Sequence, residues 1–221
     1  YKCGECYKIL SCSNKQFPLF NGATEINYQD YDTFLKKLKY KFPITKNNKV
    51  GDLIKIKKKN LEFFIDSGNP PSDIFAKNYQ AGCLSFELLS KKQKIICNTG
   101  FGKNFSSRFT ELSRSTAAHS TLYLNNTSSC IFQKNKTINK VYGISLIKKH
   151  KIIENKYSED GDFYYISLSH NGYEDEFGYI HTKEIKISKK KDEIIGIKKL
   201  SKTKKRFNLT LYSVRFHMYP N

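Results

Sequence analysis

Nine short stretches of strand-like residues follow one another after residue 50 with no helical pattern between them, and this spacing most constrains what the chain can fold into. They run from Leu53 to Lys57, Leu61 to Asp66, Cys83 to Leu89, Lys94 to Asn98, Ser120 to Leu124, Phe163 to Ser169, Gly178 to Ser188, Glu193 to Lys198 and Leu209 to Met218. The separators are turn formers, as in Ser67-Gly68-Asn69-Pro70-Pro71 and Glu159-Asp160-Gly161-Asp162. Short strands joined by turns cannot build a parallel sheet, so the expectation is all-β: an antiparallel β-sandwich. One helix precedes it. Between Asn27 and Phe42, Tyr31, Phe34, Leu35, Leu38 and Phe42 fall on one helical face, and Pro43 supplies the stop.

Lys and Arg exceed Asp and Glu by enough to give a net charge of +19. A surface of that sign gathers polyanions. Only four of the basic residues are Arg, however, and the Lys are dispersed rather than clustered, which argues against nucleic acid. The Lys runs at Lys55 to Lys59, Lys189 to Lys191 and Lys198 to Arg206 read as solvated turns. No run of about 18 apolar residues exists to span a membrane. Tyr1 to Leu10 lacks the features of a signal peptide, and the first residues read as the middle of an element, so the expected N-terminus lies upstream.

Strand alternation places several candidate residues. His170 shares a face with the apolar Ile166 and Leu168. In Tyr212 to Tyr219, strict alternation puts Val214, Phe216 and Met218 on one face and Ser213, Arg215, His217 and Tyr219 on the other, so that Arg215 and His217 make a small cationic row. That row is either a wet sheet face or the edge of a groove for an acidic sugar. His150, between Lys149 and Lys151, reads as a surface residue. Cys3 and Cys6 lack the second pair that a tetrahedral zinc site needs, and Cys83 and Cys97 read as small buried hydrophobes.

Three ordered segments carry a family resemblance. The first is Asp66-Ser67-Gly68-Asn69-Pro70-Pro71, leading to Ala81-Gly82-Cys83-Leu84-Ser85-Phe86-Glu87 and Ile96-Cys97-Asn98-Thr99-Gly100. The second is Ser113-Arg114-Ser115-Thr116-Ala117-Ala118-His119-Ser120-Thr121-Leu122. The third is Ser169-His170-Asn171-Gly172-Tyr173 with Phe177-Gly178-Tyr179-Ile180-His181 and Val214-Arg215-Phe216-His217. Together they resemble the C-terminal part of bacterial heparinase II/III-like proteins over residues 15–219.

The resemblance implies an (α/α) toroid followed by a β-sandwich, with a polysaccharide cleft between them. Residues 1–45 are then expected to be the end of the toroid and a linker, and 46–221 the sandwich, truncated at both ends. It also implies cleavage of a uronic-acid polysaccharide by β-elimination, in which a base takes the C5 proton, the adjacent carboxylate is neutralised and O4 departs with a proton. In such a site the toroid supplies a Tyr and an Asn or His, and the sandwich supplies a His that falls on His119. Arg114 is either a partner for the sugar carboxylate or part of an internal ion pair, and His170, Arg215 and His217 are further substrate-binding candidates. The expected partners are an acidic polysaccharide and the chain's own toroid. No cofactor is expected. Some relatives hold a structural zinc through His and Asp residues, but no full ligand set maps onto this chain. The family's habit is the cell envelope or periplasm, while six cysteines with no evident pairing leave the cytoplasm open. The rival reading is a carbohydrate-binding or scaffolding sandwich without chemistry.

Overall fold

A computed structural model of the chain describes residues 2–26, 28–41, 48–135, 137–139, 145–203 and 211–220. Two antiparallel sheets dominate it. The first holds six strands: β1 (Lys49–Val50), β2 (Leu53–Lys57), β3 (Leu61–Asp66), β4 (Phe86–Ser90) and β5 (Gln93–Cys97) in chain order, closed by β14 (His217–Met218) beside β5. The second holds β9 (Ile152–Glu159), β10 (Phe163–Tyr173), β11 (Tyr179–Ser188) and β12 (Ile194–Lys202) as a meander. Two small ribbons complete the β structure: β6 (Leu122–Leu124) with β13 (Tyr212–Val214), and β7 (Ile131–Phe132) with β8 (Leu146–Lys148).

The sheets meet face to face. Ile54, Ile56, Leu61, Phe63, Ile65 and Phe86 of the first bury against Ile166, Leu168, Ile185 and Ile187 of the second. Every second residue of β2, β3, β10 and β11 supplies most of this core, which is the alternation expected of a sandwich. The all-β antiparallel sandwich is therefore the observed fold. β3 is buried along its whole length, which accounts for the apolar Phe63-Phe64-Ile65 run at its centre. Its second face is covered by the N-terminal segment, where Cys12 packs on Phe64 and Leu89. Lys55 Nζ donates to the carbonyls of Ile9 and Ser11 at 2.9 and 2.8 Å and pairs with Glu62 at 3.3 Å. Ser13 N donates to Glu62 and Leu19 N to the fully buried Glu87.

The helical expectation is met only in part. Helix α2 covers Gln29–Lys37, and Tyr31, Phe34 and Leu38 are exposed rather than buried as the spacing predicts. Asn27, Phe42 and Pro43 lie outside the described residues. Helix α1 (Lys2–Leu10) falls in the segment 1–45 expected to be helical, whereas α3 (Ser107–Arg114) and the single helical turn Glu174–Phe177 interrupt a stretch expected to hold only strands and turns. The expected strand from Leu209 to Met218 is two short strands with a break at Arg215 and Phe216, and its first two residues lie outside the described set. The backbone leaves β6 after Val214 and joins β5 at His217, with Arg215 N donating to Thr121 O between them. That crossing breaks the alternation, so Phe216 and Met218 are exposed and His217 turns inward, reversing the expected faces.

Candidate functional site

Two stretches of chain, 76–82 and 113–121, lie back to back. The second comprises the last turn of α3, a single 3-10 turn at Thr116–Ala118 and extended backbone at His119. Arg114 is buried, and its guanidinium donates to the carbonyls of Lys77 and Ala76, both at 2.7 Å, while stacking 4.2 Å from the Phe132 ring. Burial lowers its pKa to about 10, so it stays charged at neutral pH. Its partners are carbonyl oxygens. No acidic side chain lies within ion-pair distance among the described residues, so of the two alternatives for Arg114, sugar partner or internal ion pair, the ion pair is not formed and the guanidinium clamps backbone instead. Ala81 N donates to Arg114 O at 2.9 Å and Thr116 Oγ1 to Ala81 O at 2.6 Å. Gln80, fully buried, donates to the carbonyls of Gly100 and Ser113 and accepts from Gly22 N.

His119 lies behind Gly82. A Cβ at position 82 would lie 3.0 Å from the His119 ring and 3.1 Å from Ser85 Oγ, tighter than an ordinary contact, so a larger residue there would push on the ring. The imidazole is 1% exposed and neither ring nitrogen has a protein partner. Burial, with the nearby His217 adding to it, lowers its pKa to about 4, which makes it a neutral ring at pH 7.

On the front of the 76–82 stretch is an open cleft of about 340 Å³, into which Asn21, Asp66, Asn69, Phe75, Asn78 and Tyr79 project. Asp66 ends β3 and accepts from Gly68 N at 3.0 Å and Asn21 Nδ2 at 3.5 Å. Burial outweighs these bonds and raises its pKa to about 7, with Asp52 contributing in the same sense. A carboxyl that titrates near neutrality at the edge of a cleft can give or take a proton under physiological conditions. The exposed Phe75 ring offers a flat apolar face beside three side-chain amides, a lining suited to sugars. Sequence reading passed over this group. Asp66 stands at the head of the Asp-Ser-Gly-Asn turn, and only burial marks it out.

The remaining histidines lie elsewhere. His170 and His181 are direct cross-strand partners and hydrogen-bond to each other at 3.0 Å, one ring donating and the other accepting. His170 Nδ1 accepts from Gly172 N, and the residue is 1% exposed, in the interior rather than on a groove. His150 is corrected from surface to core: its ring contacts Cys130 Sγ at 3.1 Å and Gly68 O at 3.2 Å. Burial holds His150 at about 4 and His170 and His181 well below the ordinary range. The pair leaves His181 Nε2 buried without a partner, and no group of three metal-binding side chains forms among the described residues.

Arg215 donates to the Tyr123 hydroxyl at 2.9 Å and lies 5.1 Å over that ring. His217, half-buried, contacts Ala117 O at 3.0 Å and borders a second cleft of about 550 Å³ together with Glu25, Asn98 and Tyr219. Arg215 and His217 therefore do not form one row. Both are also separate from the Asp66 cleft.

The comparisons agree with this architecture. The family model described as heparinase II/III-like, C-terminal, matches residues 45–221. The solved heparan sulfate lyase HepC mutant from Pedobacter heparinus superposes with a TM-score of 0.64 at 14% identity, over 90% of this chain and 31% of that one. A crystal structure of heparinase III gives a TM-score of 0.59 at 14% identity, over 90% of this chain and 33% of its own. The heparinase III BT4657 gene product gives 0.61 at 10%, over 90% and 32%. The chain thus spans about a third of the length of these structures. No curated protein sequence matches it. With a match over most of its length and a sandwich that superposes on theirs, the chain belongs to the heparinase II/III-like family, in its C-terminal domain.

Proposed function

We propose that this chain is the sandwich part of a polysaccharide lyase that cleaves a uronic-acid polymer by β-elimination, with the polymer lying across the Asp66 cleft. The family match over residues 45–221 carries the reading, and the lyases among its structural neighbours support it. In the reaction a base removes the C5 proton, the C4–O4 bond breaks, a C4–C5 double bond forms and O4 leaves with a proton. In this reading Asp66 exchanges one of these protons and Asn21, Asn69 and Asn78 hold sugar hydroxyls, which their shared lining of one cleft supports. His119 and Arg114 act from behind, as positioning residues that fix the 76–82 stretch on which Asn78 stands. A toroid domain of the same protein would close the far side of the cleft, and the cell envelope or periplasm is where such a polymer would be met. The basic surface suits a polyanionic substrate.

Asp66→Asn tests the placement. In the full-length gene product it is expected to lower kcat/KM for an acidic polysaccharide by about two orders of magnitude and to remove the inflection near neutrality from the pH profile. His119→Ala is expected to lower kcat while leaving that inflection where it was, because the ring does not titrate in this range. Full activity with an unchanged profile in Asp66→Asn would move the chemistry out of this cleft.

A further inference from the structure

Lys183 of β11 and Lys198 of β12 are direct cross-strand partners, register-matched and on the inner side of their sheet. Lys183 is completely buried beside Ile185 and Ile187, which form the sandwich core. Its Nζ donates to the Leu84 carbonyl and lies 4.9 Å from the Phe86 ring centre. Lys198 Nζ is buried with no hydrogen-bond partner, 4.3 Å from the Phe216 ring centre. Neither amine reaches a carboxylate within ion-pair distance among the described residues, and the residues outside that set include no Asp or Glu.

Like charges placed directly opposite one another destabilise a sheet, and a buried ammonium without a counter-ion costs more than an apolar residue of the same shape. This pair borders an inter-sheet cavity of about 430 Å³ whose other walls include Phe63, Phe86, Leu88, Ile96 and Ile194. That volume lies within the range of small-molecule sites. One end of the cavity carries the two lysine amines and the rest is apolar, with no array of donors and acceptors for sugar hydroxyls.

We propose that the cavity binds a monoanion with an apolar tail, a short-chain alkyl carboxylate, whose carboxylate sits between Lys183 and Lys198 and whose tail lies against Phe63, Leu88 and Ile96. Burial already lowers both amines, Lys198 to about 8, and each carboxylate bound would restore the charge of its neighbours. The site is distinct from the Asp66 cleft and does not depend on lyase chemistry.

Calorimetric titration of the 221-residue chain with octanoate, with octanol as the neutral probe of the same tail, tests this. The expected result is saturable octanoate binding, weakened about tenfold or more both by changing the probe to octanol and by Lys198→Met. Lys198→Arg should retain it. Nitrogen NMR of the lysine side chains should show the Lys198 titration moving up by about one pH unit or more on binding. Thermal melts of each variant establish that it is folded. Absence of octanoate binding at about millimolar concentration by the folded wild type, or equal affinity for octanol, would overturn the proposal. Unchanged octanoate affinity in Lys198→Met would do so as well.

Discussion

Lowering the pH from 7 to 4 is expected to remove most of the folding stability of this chain. His119, His150, His170 and His181 are each no more than 1% exposed, and burial lowers all four pKa values, to about 4 for His119 and His150. A histidine with a folded pKa below its unfolded value contributes stability that is present above pH 6.5 or so and is lost as the pH falls toward the folded value. At pH 4 the loss is on the order of 3 kcal/mol for each of His119 and His150, and the other two act in the same direction. Asp66 works the other way. Its folded pKa of about 7 exceeds the unfolded one, so its contribution is full below about pH 4 and disappears as the pH rises through 7. Glu87, raised by burial, has the same sign. Four histidines outweigh two carboxyls, and several kcal/mol is a large part of a domain's total of roughly 5–15 kcal/mol. Urea midpoints at pH 7, 5.5 and 4 (about) should fall steadily, and more steeply in Asp66→Asn; a midpoint that stays level would refute the neutral, buried assignment of the histidines.

Arg114→Ala carries the second large effect. It strands the carbonyls of Ala76 and Lys77, removes the cation from the face of Phe132 and leaves a cavity beneath the 76–82 stretch. The expected cost is about 3–5 kcal/mol, or a fall in Tm on the order of 10 °C for a domain of this size. Arg114→Lys should recover little of it, since one ammonium cannot reproduce the two parallel donors of the fork. Thermal unfolding at pH 7 or so measures both. Stability within about 0.5 kcal/mol of wild type in Arg114→Ala would mean that the clamp is not needed.

The strands that bury a face were readable from sequence, those that do not were hidden. Expected bounds for Leu53–Lys57 and Leu61–Asp66 coincide with β2 and β3, where apolar residues define the register. Strand β9 escaped notice because it lies at a sheet edge with most of Ile152–Glu159 in solvent, leaving little alternation to detect. His150 looked like surface because its neighbours are lysines, yet those side chains splay outward around a ring held by Cys130 and Gly68. The faces of Arg215 and His217 depended on unbroken alternation, which the crossing from β6 to β5 destroys. Residue type did not show that Arg114 and His119 are both buried, Arg114 on backbone carbonyls and His119 against Gly82. Asp66 needed the fold, since only its depth at the end of β3 separates it from any other turn aspartate.

β-Elimination of an acidic polysaccharide leaves an unsaturated uronate whose ultraviolet absorbance reports the reaction itself. The full-length gene product should be assayed on a panel of uronate polymers, with the 221-residue chain beside it. Unsaturated product is expected from the full-length protein on at least one polymer, reduced in Asp66→Asn by about two orders of magnitude. Polymer binding without any unsaturated product, from a folded full-length protein, would contradict the lyase reading and leave a carbohydrate-binding sandwich in its place.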